Sequence, residues 1–109
     1  MPFHALEIAI ELIEALQPLI AKVAKRNPPL ARQLARSSES IAQNLSEGRE
    51  RQGGDQRYHY TVAHGSAAES QTSLRIAVAQ RAVTRDEAAA AFALLDRELA
   101  MCWRLTHPR

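Results

Sequence analysis

Apolar side chains recur every three or four residues along most of the chain, and the places where that rhythm stops divide it into four segments. The first carries Leu6, Ile8, Ala9, Ile10, Leu12, Ile13, Leu16, Leu19, Ile20 and Val23. At about 100° per residue these cover an arc of about 200°. Glu7, Glu11 and Glu14 share the remaining face. The pattern predicts an amphipathic helix over residues 3–25, kinked at Pro18, which lacks the donor a helix interior uses. Asn27-Pro28-Pro29 then breaks the chain and starts a second helix over 29–48. Proline suits a first helical turn, and Asn27 is placed to cap it. Leu30, Leu34, Ser37 or Ser38, Ile41 and Leu45 keep the helical spacing up to Gly48, a suitable left-handed cap. Gly53 and Gly54 close the connection, and Asp55 is the expected N-cap of a third helix over 55–81. Thr84 and Glu87 have capping-box spacing for a fourth over 85–106. No stretch alternates as a strand would, and no segment repeats.

Four helices with short connections pack as an all-α, antiparallel up-down-up-down bundle, one domain over residues 1–109. The apolar arc of the first helix is wider than one core stripe requires, and the fourth helix has alanine on several faces. That excess suggests a second buried surface, hence a homo-oligomer. The competing reading is that alanine favours helix and is indifferent to exposure.

Composition adds constraints. A chain of 109 residues with 46% apolar content can bury a core without staples. No run approaches the roughly 18 apolar residues that span a bilayer, and "MPFHALEIAIELIEAL" lacks the basic start and cleavage site of a signal peptide. One cysteine, Cys102, cannot make an internal disulfide, which fits a reducing cytoplasm. Between Met101 and Trp103 it reads as core or interface filler, not as a reactive thiol.

The net charge of +2 hides an uneven distribution. Five basic residues and no acid lie between Lys22 and Arg36, and three arginines and no acid between Ser70 and Arg85. The bundle topology gathers Lys22, Lys25, Arg26, Arg32, Arg81 and Arg85 at one pole, opposed by Asp86 and Glu87. The other pole mixes Arg49, Arg51, Arg57, Arg104 and Arg109 with Glu7, Glu47, Glu50 and Asp55. A basic pole of this kind fits nucleic acid or another polyanion; it also fits a solvated set of helix ends, where such charges are favoured anyway.

Gly65 raises a question, because glycine costs about 1 kcal/mol against alanine inside a helix. Counting outward from the turn near residue 52 sets Leu45 near Tyr60 and places Ser37 and Ser38 near Gly65, Ser66 or Ala67. Gly65 is then expected to allow close approach of the two helices, with no ligand involved. The same count places Glu69 near Arg36 or Gln33, with a partly buried Glu69–Arg36 ion pair expected to fix the register, and Asn44 and Glu47 near the backbone around Gly48. Catalytic patterns are absent: no Glu has a His three residues later, as helical di-iron sites need. His59, His64 and Glu69 are spaced by fives, which points their side chains roughly 140° apart. His4 and His107 are terminal. No metal, cofactor, small-molecule substrate or catalytic residue is expected.

The stretch "ARQLARSSESIAQNLSEGRERQGGDQRYHYTVAHGSAAES" resembles the four-helix-bundle proteins of the 23S rRNA intervening-sequence (S23) family. The resemblance rests on Arg36-Ser37, Ser40-Ile41, Asn44-Leu45-Ser46-Glu47-Gly48, the basic turn from Arg49 to Gly54, and Ala63-His64-Gly65-Ser66-Ala67-Ala68-Glu69. Ser37 and Ser46 stand where the family has alanines, and His59 where it has Phe or Tyr. The resemblance implies a bacterial, cytoplasmic, homopentameric ring without established catalytic activity. It assigns structural roles to Arg36, Ser40, Asn44, Glu47, Gly48, Gly65, Ser66 and Glu69. It also implies kinship with the accessory variability protein of diversity-generating retroelements, a basic pentamer that engages nucleic acid and reverse transcriptase. The leading expectation is therefore a non-enzymatic oligomeric scaffold that binds nucleic acid or a nucleic-acid enzyme, with Tyr58 or Tyr60 available to stack on bases if exposed. The alternative is an interaction module whose basic pole docks an acidic protein.

Overall fold

A computed structural model describes residues 3–108; Arg109, assigned above to the second pole, lies outside them. Its helices are α1 (His4–Arg26), α2 (Pro28–Arg49), α3 (Gly53–Ala79) and α4 (Arg85–Thr106), each expected boundary moving by two residues or fewer. Each helix packs on the next in the chain, and α4 closes the ring on α1. The resulting bundle measures 42 × 22 × 20 Å. Its core is aliphatic, with Leu12, Leu16, Leu34, Ile41, Leu45, Leu74 and Leu95 fully buried. α1 runs unbroken through Pro18, which is exposed. Among the described residues, no helix is long and apolar enough to cross a membrane.

Two caps form as their sequences demand. Asn27 Oδ1 accepts the Leu30 N–H at 3.2 Å, with prolines in the turn that needs no donor. Thr84 and Glu87 complete the capping box, Glu87 N–H donating to Thr84 Oγ1 at 3.1 Å and Thr84 N–H to Glu87 Oε1 at 2.8 Å. Two other ends differ from expectation. Gly48 is no cap: α2 continues through it to Arg49, and the left-handed residue of the connection is Gly53, φ +60°. Asp55 does not cap α3. It accepts from Arg51 at 3.2 Å, and Arg51 also holds Glu47 at 2.9 Å. Among the described residues, the Asn44 and Glu47 side chains bond Ser40, His59 and Arg51 and not the turn backbone. Gln56 bonds it, donating to Gly48 O at 3.0 Å and Arg51 O at 2.9 Å.

α3 stops in a Schellman arrangement centred on Arg81, which adopts φ 61°. Arg81 N–H reaches Val78 O at 3.0 Å and Ala82 N–H reaches Ala77 O at 2.9 Å. Glycine is the usual residue there, because a Cβ crowds the left-handed backbone.

The α2–α3 seam is built from small and polar side chains. Ser37 and Ser70 hydroxyls meet at 2.7 Å, Ser66 donates to Ser40 at 2.8 Å, and Asn44 bonds His59 Nδ1 at 3.0 Å. Gly48 supplies the close approach: a Cβ built there would stand 2.8 Å from Tyr60 Cε1. Gly65 does not. It is exposed, and a Cβ on it would meet nothing within 4 Å. The reason is register and rotation. The helices pair a few residues further along α3 than the turn count implied: Ser37 meets Ser70 and Ser40 meets Ser66, while Gly65 faces neither. Ser66, about 100° further round the helix, turns inward while Gly65 turns out. Arg36 and Glu69 are likewise both exposed, and no ion pair joins them among the described residues.

Candidate polyanion interface

The end of the bundle where α1 stops, α2 starts, α3 stops and α4 starts is held by two cross-links. Asn27, between α1 and α2, donates its amide to Gln80 Oε1 at 3.0 Å, fixing that corner to the C-terminus of α3. Lys22 of α1 forms an ion pair with Glu87 of α4. Glu87 thus serves its own cap and a neighbouring helix. The Lys22 contact, followed by the Thr84 N–H, holds its carboxyl down to about 2.

These links separate the six expected cations into two groups. Lys22 is occupied by Glu87 and half exposed. Lys25, Arg26, Arg32, Arg81 and Arg85 are exposed. Lys25 and Arg26 close α1, Arg32 lies in the second turn of α2, Arg81 follows α3, and Arg85 opens α4. Among the described residues, no ion pair engages any of these five. With Glu87 taken by Lys22, Asp86 is the acid left at the start of α4.

Arg85 also borders a groove of about 790 Å³ along α3 and α4, with Arg75, Val78, Ala89, Phe92 and Asp96. Arg75 is the residue that topological reasoning left out. It belongs to the same acid-free run as Arg81 and Arg85, but its position inside α3 removed it from the pole. Asp96, the groove's acid, accepts from Gln71 at 3.2 Å.

The tyrosines divide. Tyr58 is 62% exposed, whereas Tyr60 is buried against Gly48 with the Phe3 ring 6.0 Å away. Tyr58 sits near the start of α3, at the opposite end from the cations. Cys102 is fully buried, and burial pushes its thiol up to about 12, so it fills core. His59 is engaged by Asn44, and among the described residues no three His, Cys, Asp or Glu side chains converge as metal ligands would.

The arrangement matches a known protein family over most of its length. The family model for the 23S rRNA-intervening sequence protein matches residues 3–104. This chain belongs to that family. A crystal structure of a protein with unknown function from the S23 ribosomal protein family of Bacteroides thetaiotaomicron has the same fold, with a TM-score of 0.84. It is 16% identical, and the alignment covers 94% of this chain and 97% of that one. No curated protein matches this chain. As an intervening-sequence family member, it shares its helical architecture with that solved protein of unknown function.

Proposed function

We propose that this protein is a non-enzymatic helical scaffold that binds nucleic acid through the pole formed by Lys25, Arg26, Arg32, Arg81 and Arg85. The observation that carries the reading is the separation of charges there. Glu87 is engaged by Lys22 and the α4 cap, which leaves five exposed cations opposed by Asp86. Flexible cations at helix ends suit phosphates, and they carry no base-reading geometry, so little sequence preference is expected. The S23 ribosomal name of the solved relative points the same way. Assembly into a homo-oligomeric ring would repeat the pole and add weak contacts through avidity. The exposed Ile10, Ile76 and Trp103 are the side chains suited to such contacts. A reducing cytoplasm is the compartment this reading assumes.

Gel-shift titration with mixed RNA and DNA at low salt tests it. Binding should fall with salt at a log–log slope of about −4 if all five cations meet phosphates. Absence of binding at micromolar protein would sink the proposal. The Phe92 groove between Arg75 and Arg85 favours a second reading, an acidic protein segment with an apolar anchor. A partner captured by pull-down that survives nuclease treatment would support that reading instead.

A further inference from the structure

Glu98 is the one carboxyl buried among the described residues: its exposure is 0%, and neither carboxyl oxygen has a hydrogen-bond partner. It occupies the inner row of α4 with Ala88, Ala91, Leu95 and Cys102. Three of those four neighbours are small, and Phe92, Leu94, Leu99, Met101 and Leu105 flank the row, partly buried against the core. Polar ties to α4 come from Lys22 of α1 at Glu87, Gln71 of α3 at Asp96 and Arg57 of α3 at the Thr106 carbonyl, all on its exposed side. α4 packs on α1 and α3.

An ionised carboxylate with no partner cannot stay in such an interior; it takes up a proton or leaves. We propose that α4 is a proton-controlled latch, closed over α1 and α3 while Glu98 is neutral and released from them when Glu98 ionises.

The surroundings leave the charge of Glu98 uncompensated. On α4 itself, exposed Arg97 favours the ionised form, and burial outweighs it, pushing the carboxyl up to about 8. Cys102, one turn on, is a neutral thiol, since burial and then Glu98 raise it. From α1, the inner row is Ala5, Ile8, Ala9, Leu12, Leu16 and Leu19, while His4, Glu7, Glu11, Glu14, Lys22, Lys25 and Arg26 are all exposed. From α3, the shielded titratable groups are Tyr60, His59 and His64, with His59 committed to Asn44; Arg57, Glu69 and Arg75 are exposed.

The sign follows from proton binding. In the closed form Glu98 keeps its proton up to about pH 8, and in a released helix it would lose it near 4.5. Between those values the closed form binds the extra proton, so closure is strongest below 4.5 and is lost as pH rises to 8. The opening constant should grow about tenfold per pH unit in that interval.

Cys102 is a built-in reporter, being fully buried, one turn from Glu98 and the chain's single cysteine. Its modification by 4,4′-dithiodipyridine should be followed from pH 5 to pH 8 in the wild type and in Glu98→Gln. Dividing the two rates cancels the intrinsic thiol chemistry. The ratio should climb about tenfold per pH unit; a flat ratio overturns the latch. Glu98→Met supplies the reference should the glutamine variant not fold. A second reporter, Ser38→Cys in a Cys102→Ala background, distinguishes release of α4 from unfolding of the whole bundle, because Ser38 is 1% exposed on α2. Continued protection of that thiol while Cys102 reacts supports the latch. Equal reaction at both thiols, with the same dependence on Glu98, overturns it.

Discussion

Gly48 and Gly65 are both helical and have opposite consequences for the fold. A methyl group on Gly48 would press into the buried Tyr60 ring and the Cβ of His59. An aromatic side chain held on several sides cannot yield without moving α3. Gly48→Ala should therefore destabilise the bundle by about 1–3 kcal/mol, read as a lower urea midpoint at unchanged slope. Gly65 faces open space, so Gly65→Ala should gain about 1 kcal/mol of helix propensity in the same assay. Arg81 combines strain and charge. Its left-handed backbone suits glycine, and Arg81→Gly should raise stability by about 1 kcal/mol. If the pole binds phosphates, the same variant should bind nucleic acid more weakly and lose about one unit of salt slope. Folding and binding moving in opposite directions would separate the two roles in one protein.

At the scale of elements, helix ends do more here than close their own helices. Thr84 caps α4 and also helps hold Glu87 where Lys22 of α1 can reach it. Thr84→Ala should cost about 1 kcal/mol in a denaturation series, the ordinary loss of a cap. Asn27 likewise caps α2 and ties that corner to Gln80. The α2–α3 seam relies on paired hydroxyls. Replacing Ser37 alone by alanine would deprive the fully buried Ser70 of its partner, whereas replacing both removes the unmet need. The double variant should therefore be less harmful than the sum of the singles. Such seams were legible in outline. The small residues stood in the sequence at matching heights, and two adjacent small faces imply close packing. Which serine meets which was not legible, because a shift of a few residues in register rotates each partner to another face.

For the molecule as a whole, two carboxyls give the pH profile opposite slopes. Glu87 is held near 2, so its contribution is fully present above its ordinary value of 4.5 and is lost as pH falls through 2. Glu98 is held near 8, so its contribution is present below 4.5 and lost as pH rises to 8, at about 1.4 kcal/mol per pH unit. The thermal midpoint should therefore peak in mildly acidic buffer and decline toward both extremes. Glu98→Gln should flatten the decline on the neutral side alone. The candidate site was legible as a location, since helix order brings those ends together. Its usable charge was not: Lys22 looked equivalent to Lys25 until the fold placed Glu87 against it.

The sequence by itself determined the four helices, their order, two of their caps and the family signature. Those features depend on periodicity, on proline and glycine geometry, and on side chains bonding their own backbone within a few residues. The tertiary structure decided everything that depends on neighbours distant in the chain. It made Gly48 the contact glycine and Gly65 the open one, paired Ser37 with Ser70, and sealed Glu98 from water between two other helices. Glu98 sits at helical spacing from Leu95 and Cys102, a signal present all along. A polar residue on an apolar stripe can still lie at the rim or in the core, and only the packing of α4 against its neighbours settles which.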